Sequence, residues 1–207
     1  MQLLQKPYLP WALSIIVAGL AVFVWGDSLA WRFSDLSIYQ VFPLLGLLAF
    51  SIMWSHYMAG FMHKTFLKNV TYGRYYLWTS YAVLVAILLH PGLLAYQRYR
   101  DGFGLPPSSE TSYVMPGLGW IVVLGMTSLL VFLAFELHRW FDKKSWWQVV
   151  PRLGDAAMVA IFYHGLRLGT QTHITWFRTI WIIYGVTLIL VLLYSYALRI
   201  RKHSWNV

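Results

Sequence analysis

Six ionisable side chains lie within long apolar stretches of this sequence, where a charged group is costly. They are His56, His90, Glu136, His138, Asp155 and His164. Ionisable residues in apolar segments of membrane length are rare, and each is by default a candidate for ligand binding or for proton or electron transfer. Because neutral imidazole is the commonest metal ligand in proteins, the histidines make metal or haem ligation the first chemistry to consider.

His90 and His164 are predicted to lie at the same depth on two different helices. His90 follows Tyr75 by 15 residues, about 22 Å along a helix, and His164 follows Pro151 by 13 residues, about 20 Å. Bis-histidine ligation of a b-type haem requires two imidazoles at one level on separate helices. The alternative is that each imidazole forms a hydrogen bond across a helix interface.

Arg167 is the basic residue that best fits a role beside such a haem. It follows His164 by three residues and so shares its helical face. Its guanidinium could pair with a haem propionate, with Arg98, Arg100 or Arg178 assisting. The alternative is an interfacial arginine that extends toward lipid phosphate.

His56, His63 and His138 are candidates for a second haem near the opposite membrane surface. His56 and His63 are seven residues apart on nearly one helical face, and His138 precedes Arg139 at a predicted helix end. A haem held by His138 with His63 or His56 would complete a path for electrons across the bilayer. Histidines at a membrane boundary also occur simply as interfacial polar residues.

The elements that carry these histidines are predicted to be membrane-spanning helices. Hydrophobic residues make up 59% of the chain and charged residues 11%, and the mean hydropathy is +0.57, far from the composition of soluble proteins. Lipid cannot satisfy unpaired backbone groups, so each span must be a helix. The whole chain, 1–207, is thus predicted to be one transmembrane domain, an all-α six-helix bundle with spans at 10–26, 41–62, 75–96, 115–137, 149–168 and 175–198.

The basic residues indicate an orientation and argue against a nucleic-acid partner. The net charge is +9, but the Lys and Arg side chains lie in the connections between apolar segments instead of forming a basic stripe. Of the 16 Lys and Arg residues, 11 fall in one set of connections and the other five in the opposite set. The positive-inside rule then predicts that both termini are cytoplasmic. The external connection 97–114 is predicted to be a loop without a catalytic signature.

Several kinds of chemistry are excluded. The chain has no cysteine, which removes disulfides, thiolate metal sites, iron–sulfur clusters and covalent haem attachment. The sequence also has no phosphate-binding glycine motif, nucleophile elbow, HExxH motif, or flavin or nicotinamide fingerprint. Any haem must be bound non-covalently, and electrons must come from elsewhere.

Two segments carry a family resemblance. Residues 74–78 (RYYLW) lead to residues 87–90 (ILLH), and residues 147–148 (WQ) lead to residues 162–169 (FYHGLRLG). They resemble the third and fifth helices of the ferric-reductase-like transmembrane domain. That superfamily includes ferric reductases, NADPH oxidases and the haem-bearing membrane subunit of the bacterial periplasmic methionine sulfoxide reductase system. The resemblance covers roughly the second to sixth spans.

The resemblance implies that His90 and His164 hold an outer haem b. In the family a second histidine pair lies about one helix length earlier on the same helices, but Tyr76 and Pro151 stand near those positions. The chain therefore carries one haem, or a second haem is held by His56, His63 or His138. Histidines on helices two and four also resemble the ligand layout of cytochrome b561 proteins.

The function expected from these features is that of a membrane b-type cytochrome in the inner membrane of a bacterium. It would be an oxidoreductase component that passes electrons through bis-histidine haem to an acceptor near the external face. Its donor would be a separate protein or membrane quinol, and its other partner membrane lipid. The alternatives are a two-haem carrier like cytochrome b561 and a redox-inactive bundle, either a transporter or a structural subunit.

Overall fold

The computed structural model describes residues 8–67, 71–136, 143–144, 147 and 149–203, and these residues form an all-helical structure. Among these described residues six long helices follow one another, with a short helix and a 3-10 turn (Gln171–His173) also between them. The helices are α1 (Tyr8–Ser28), α2 (Ile38–Thr65), α3 (Gly73–Arg100), the short α4 (Ser108–Thr111), α5 (Gly119–Glu136), α6 (Val150–Leu168) and α7 (Thr175–His203).

Four of the long helices, α1, α2, α3 and α7, are long and apolar enough to cross a membrane, which indicates an integral membrane protein. The apolar part of α5, Gly119–Phe135, is slightly shorter. Helix α6 contains three charged residues, Arg152, Asp155 and Arg167, within 19 residues. Each of the six predicted spans corresponds to one long helix, and four of these helices have the composition of a span on their own.

The starts of α2 and α5 differ from the predicted boundaries by more than two residues, each for a local reason. Helix α2 begins at Ile38, before the predicted residue 41, because Ser37 and Gln40 form a capping box in which the Gln40 side chain accepts from the Ser37 backbone amide at 2.8 Å. Helix α5 begins at Gly119, after the predicted residue 115. Gly117 adopts a φ of +88°, a left-handed conformation that interrupts a right-handed helix.

The long helices pack side by side into one bundle. Helix α2 packs against α1 and α3, α5 packs against α6, and α7 packs against α2 and α6. Aromatic residues fill the contact with α7: the ring centroids of Phe50 and Trp181 are 4.4 Å apart. In the same bundle the carboxylate of Asp155 on α6 accepts hydrogen bonds from Tyr57 on α2 at 3.0 Å and from Tyr196 on α7 at 2.9 Å. One carboxylate therefore links three helices.

The connection between α3 and α5 is more ordered than the predicted loop. It contains α4, which packs against both α3 and α5. Arg98, at the end of α3, is buried and holds this segment: Nε donates to the carbonyl oxygen of Ser109 at 3.0 Å and Nη2 donates to Ser112 Oγ at 2.8 Å. The guanidinium also lies 3.5 Å from the centroid of the Phe103 ring. These contacts fix the segment over one end of the bundle.

Candidate haem site

A cavity of about 250 Å³ lies between α2, α3, α5 and α6, and both His90 and His164 line it. Its volume is close to the lower end of the roughly 300–1,000 Å³ that small-molecule sites occupy. Most of the wall is apolar, including Phe50, Met53 and Phe132. The residues that the sequence matched by depth therefore share one cavity.

His90 is held against α2 by one hydrogen bond and one glycine. Nδ1 of His90 lies 2.8 Å from the carbonyl oxygen of Phe42. One helical turn further along α2, a Cβ built on Gly46 would lie 2.8 Å from His90 Cε1 and 3.0 Å from Nδ1. Any side chain at position 46 would occupy the space of the imidazole.

His164 is held against α5 in the same way. Nδ1 of His164 lies 2.9 Å from the carbonyl oxygen of Ile121. A Cβ built on Gly125, four residues after Ile121, would lie 2.7 Å from His164 Nδ1 and 2.8 Å from Cε1. The helix pairs α2–α3 and α5–α6 thus each present one histidine through a carbonyl at position i and a glycine at position i+4.

These hydrogen bonds fix the tautomer of both imidazoles. A carbonyl oxygen can only accept, so Nδ1 of His90 and Nδ1 of His164 both carry the proton. Each neutral ring then keeps the lone pair on Nε2, which is the nitrogen available to a metal. A backbone carbonyl that accepts from the distal ring nitrogen is the usual support for a metal-ligating histidine.

The residues present fit a haem better than a bare metal ion. No group of three or more His, Cys, Asp or Glu side chains that could enclose an ion occurs in the described part of the chain. A haem needs only two axial protein ligands and an apolar surround, because the porphyrin supplies four nitrogens. Two neutral imidazoles in an apolar cavity, each pressed into a glycine-lined recess, meet that need.

One end of the cavity is polar. Glu110 on α4, Tyr113 and Gln171 line it there together with Tyr39 at the start of α2. Glu110 is 3% exposed, and neither of its carboxylate oxygens has a hydrogen-bond partner on another residue; Oε1 of Gln171 has no partner either. Burial raises the pKa of Glu110, an effect that a hydrogen bond from its own backbone amide and the nearby Arg98 charge partly offset.

Arg167 occupies a different environment from the two histidines. Its side chain is exposed, and the residues that line the cavity include Leu168 and Gly169 but not Arg167. Its pairing with a propionate stays a prediction. The basic side chain that the fold fixes beside the polar end of the cavity is Arg98, which contacts the neighbours of Glu110.

Two of the three histidines predicted for a second haem, His56 and His63, do not line this cavity. Nε2 of His56 is 2.6 Å from Thr79 Oγ1, and that hydroxyl itself donates to the carbonyl oxygen of Tyr75 at 2.6 Å. His56 therefore donates through Nε2, which leaves that nitrogen without a lone pair for iron. His63 packs its ring against Tyr72, with centroids 5.7 Å apart. His138 lies outside the described residues.

Three residues of the site, Gly46, Gly125 and Glu110, were not singled out by the sequence. A glycine within an apolar helix has several possible reasons, and the spacing of four residues between carbonyl and glycine is visible only once the helix pairs are known. Glu110 lies in a segment rich in proline and serine, LPPSSETS, which is typical of a solvated loop. Its position beside a buried arginine is a tertiary feature.

Comparison with known proteins gives no relative: no family model, no curated protein and no solved structure matches this chain.

Proposed function

We propose that this protein is a membrane b-type cytochrome related to the ferric-reductase-like superfamily, with His90 and His164 as the axial ligands of one haem b. The observation that carries the proposal is the matched pair of imidazoles in one apolar cavity, each with Nδ1 bonded to a backbone carbonyl. In the proposed arrangement all six long helices cross the membrane, with both termini in the cytoplasm. The membrane is the inner membrane of a bacterium.

Each part of the site has a defined task in this proposal. Phe42 and Ile121 orient the imidazoles through their carbonyl oxygens, and Gly46 and Gly125 leave room for them. The apolar wall excludes water, which favours a tightly held porphyrin. When bound, the haem supplies one-electron redox chemistry. The chain has no flavin or nicotinamide fingerprint, so the electron donor is a separate protein or a membrane quinol.

The hydrogen bonding of His56 supports a haem count of one. His56 uses Nε2 in its hydrogen bond to Thr79, so we propose one haem per chain at the site between α3 and α6. The acceptor is a species near the polar end of the cavity, on the external side in this orientation.

Haem content tests the proposal directly. The protein is expressed with added haem precursor, purified in detergent, and measured by reduced-minus-oxidised spectroscopy and by pyridine haemochrome quantitation. We expect one haem b per chain in the wild type and none in the double variant H90A/H164A. H56A is the matched control, a membrane-embedded histidine outside the cavity, and is expected to keep its haem.

A wild-type protein that stays colourless after haem titration would contradict the cytochrome and favour a redox-inactive bundle. Two haems per chain would contradict the single site and would favour His63 and His138 as ligands of the second haem.

A further inference from the structure

Glu110 is a buried carboxyl group that has no role yet in the fold or in the proposed haem site. It lies on α4, faces the cavity that holds His90 and His164, and is 3% exposed. Neither oxygen has a hydrogen-bond partner on another residue. A buried polar group without a partner is rare and costly in a folded protein, so its retention needs an explanation.

The groups around Glu110 do not neutralise it. Arg98 on α3 is the nearest cation, but its guanidinium donates to Ser109 and Ser112. Asp101, at the end of α3, accepts from Tyr39 of α2 and from Gln97. The titratable groups that line the cavity with Glu110 are Tyr39 at the start of α2, Tyr113 in the connection after α4, and the two histidines on α3 and α6. Among the described residues the carboxyl group therefore has an attraction to Arg98 but no direct bond to it.

Opposing influences act on the proton of Glu110. Burial favours the neutral carboxylic acid, whereas a hydrogen bond from its own backbone amide and the Arg98 charge favour the carboxylate, and burial is the largest effect. A carboxyl group in this balance responds to a change of charge nearby, because interactions within a low-dielectric cavity are strong. An electron that arrives in the cavity between His90 and His164 is such a change.

We propose that Glu110 is the proton-accepting residue of this site: when the haem held by His90 and His164 is reduced, the Glu110 carboxylate takes up one proton. This inference rests on the proposed function. One electron from the separate donor protein or quinol reduces the ferric haem, and one proton from the adjacent aqueous side converts the carboxylate to the carboxylic acid. When the electron passes to the acceptor, the proton leaves again. The charge within the cavity is then the same in both redox states.

The pH dependence of the haem midpoint potential tests the inference. The haem-loaded wild type, E110Q and D35N are titrated at several pH values; Asp35 is an exposed carboxyl on the connection between α1 and α2. We expect a range of pH in which the wild-type midpoint potential falls as the pH rises. Its slope there should correspond to at most one proton per electron. E110Q should lose this slope in that range, apart from any contribution of the propionates, and D35N should keep it. An E110Q slope equal to that of the wild type would overturn the inference.

A second measurement covers the case in which E110Q does not load haem. The chain has two glutamates, Glu110 and Glu136. In protein labelled with ¹³C-glutamate, reduction should produce a label-shifted infrared band of a protonated carboxyl group, and E136Q should retain it. A reduced-minus-oxidised spectrum without that band would overturn the inference. A colourless wild type would instead overturn the proposed function, so the two failures are distinguishable.

Discussion

The imidazole of His90 occupies the space that a side chain at Gly46 would need: a Cβ built there would lie 2.8 Å from His90 Cε1. Gly125 has the same relation to His164, at 2.7 Å from Nδ1. Alanine at either position must therefore displace the imidazole. We expect G46A and G125A to weaken haem binding by about 1–3 kcal/mol, the usual cost of overpacking, which is roughly fivefold to more than a hundredfold in affinity.

Two glycines on the histidine-bearing helices provide matched controls for these variants. A Cβ built on Gly92 of α3 or on Gly154 of α6 meets nothing within 4 Å. G92A and G154A should bind haem like the wild type, and the higher helix propensity of alanine should leave the protein equally or slightly more stable. Haem titration of detergent-purified protein measures all four variants. Equal affinities in G46A and G92A would show that the contact at position 46 does not position His90.

Arg98 is expected to stabilise the segment that covers the polar end of the cavity. R98Q removes a buried charged donor that bonds Ser109 and Ser112. Loss of such a hydrogen-bonded group costs roughly 1.5–3 kcal/mol. The control is R100Q, since Arg100 is exposed and surface substitutions usually change stability by less than about 0.5 kcal/mol. Proteolysis of the α3–α5 connection should increase in R98Q and not in R100Q; equal proteolysis would contradict this role.

Glu110 should make the stability of the haem-free protein depend on pH in a particular direction. Its pKa is raised by burial, so above its usual range of about 4.3 the folded protein binds more protons than the unfolded chain. The stability that this group contributes is thus lost as the pH rises from the usual pKa of a glutamate to the raised pKa of Glu110. In E110Q that loss should be absent, so its thermal midpoint relative to the wild type should increase from pH 4 to neutral pH. A difference that stays constant or shrinks with pH would be inconsistent with a buried carboxylate at this position.

The link among α2, α6 and α7 through Asp155 predicts a structural effect. Y57F and Y196F each remove one hydroxyl that donates to this carboxylate. We expect each variant to lower stability by about 1–3 kcal/mol, because it leaves a carboxylate oxygen with one donor fewer. Y194F is the control on α7, since Tyr194 packs its ring against Phe61. Thermal unfolding in detergent measures the effect, and equal midpoints for Y196F and Y194F would argue against the link.

The similar depth of His90 and His164 along their helices could be predicted from the sequence because the rise per residue of a helix is fixed. Counting residues from each helix start gave similar depths, and both side chains line one cavity. The start of α2 could also have been predicted, since Ser37 and Gln40 have the spacing of a capping box. Local rules of this kind need no knowledge of how the helices pack.

Features that depend on the rotation and pairing of helices were not accessible in the same way. In sequence Gly46 and Gly125 look like Gly92 and Gly154, and only the paired helix decides which of them faces an imidazole. His56 looked like a free ligand until its bond to Thr79 was known. Glu110 was expected to be solvated because its neighbours are typical of loops, whereas its side chain is buried and lines the cavity.

The ligand set at the centre of the proposal is tested most directly by electron paramagnetic resonance of the ferric, haem-loaded protein. The proposal predicts a low-spin bis-histidine signal in the wild type, retained in H56A and H63A. In H90A and in H164A the low-spin signal should be replaced by a high-spin signal or lost with the haem, and added imidazole should restore it where haem remains. A low-spin signal that persists unchanged in either H90A or H164A would contradict the assignment of that histidine as an axial ligand.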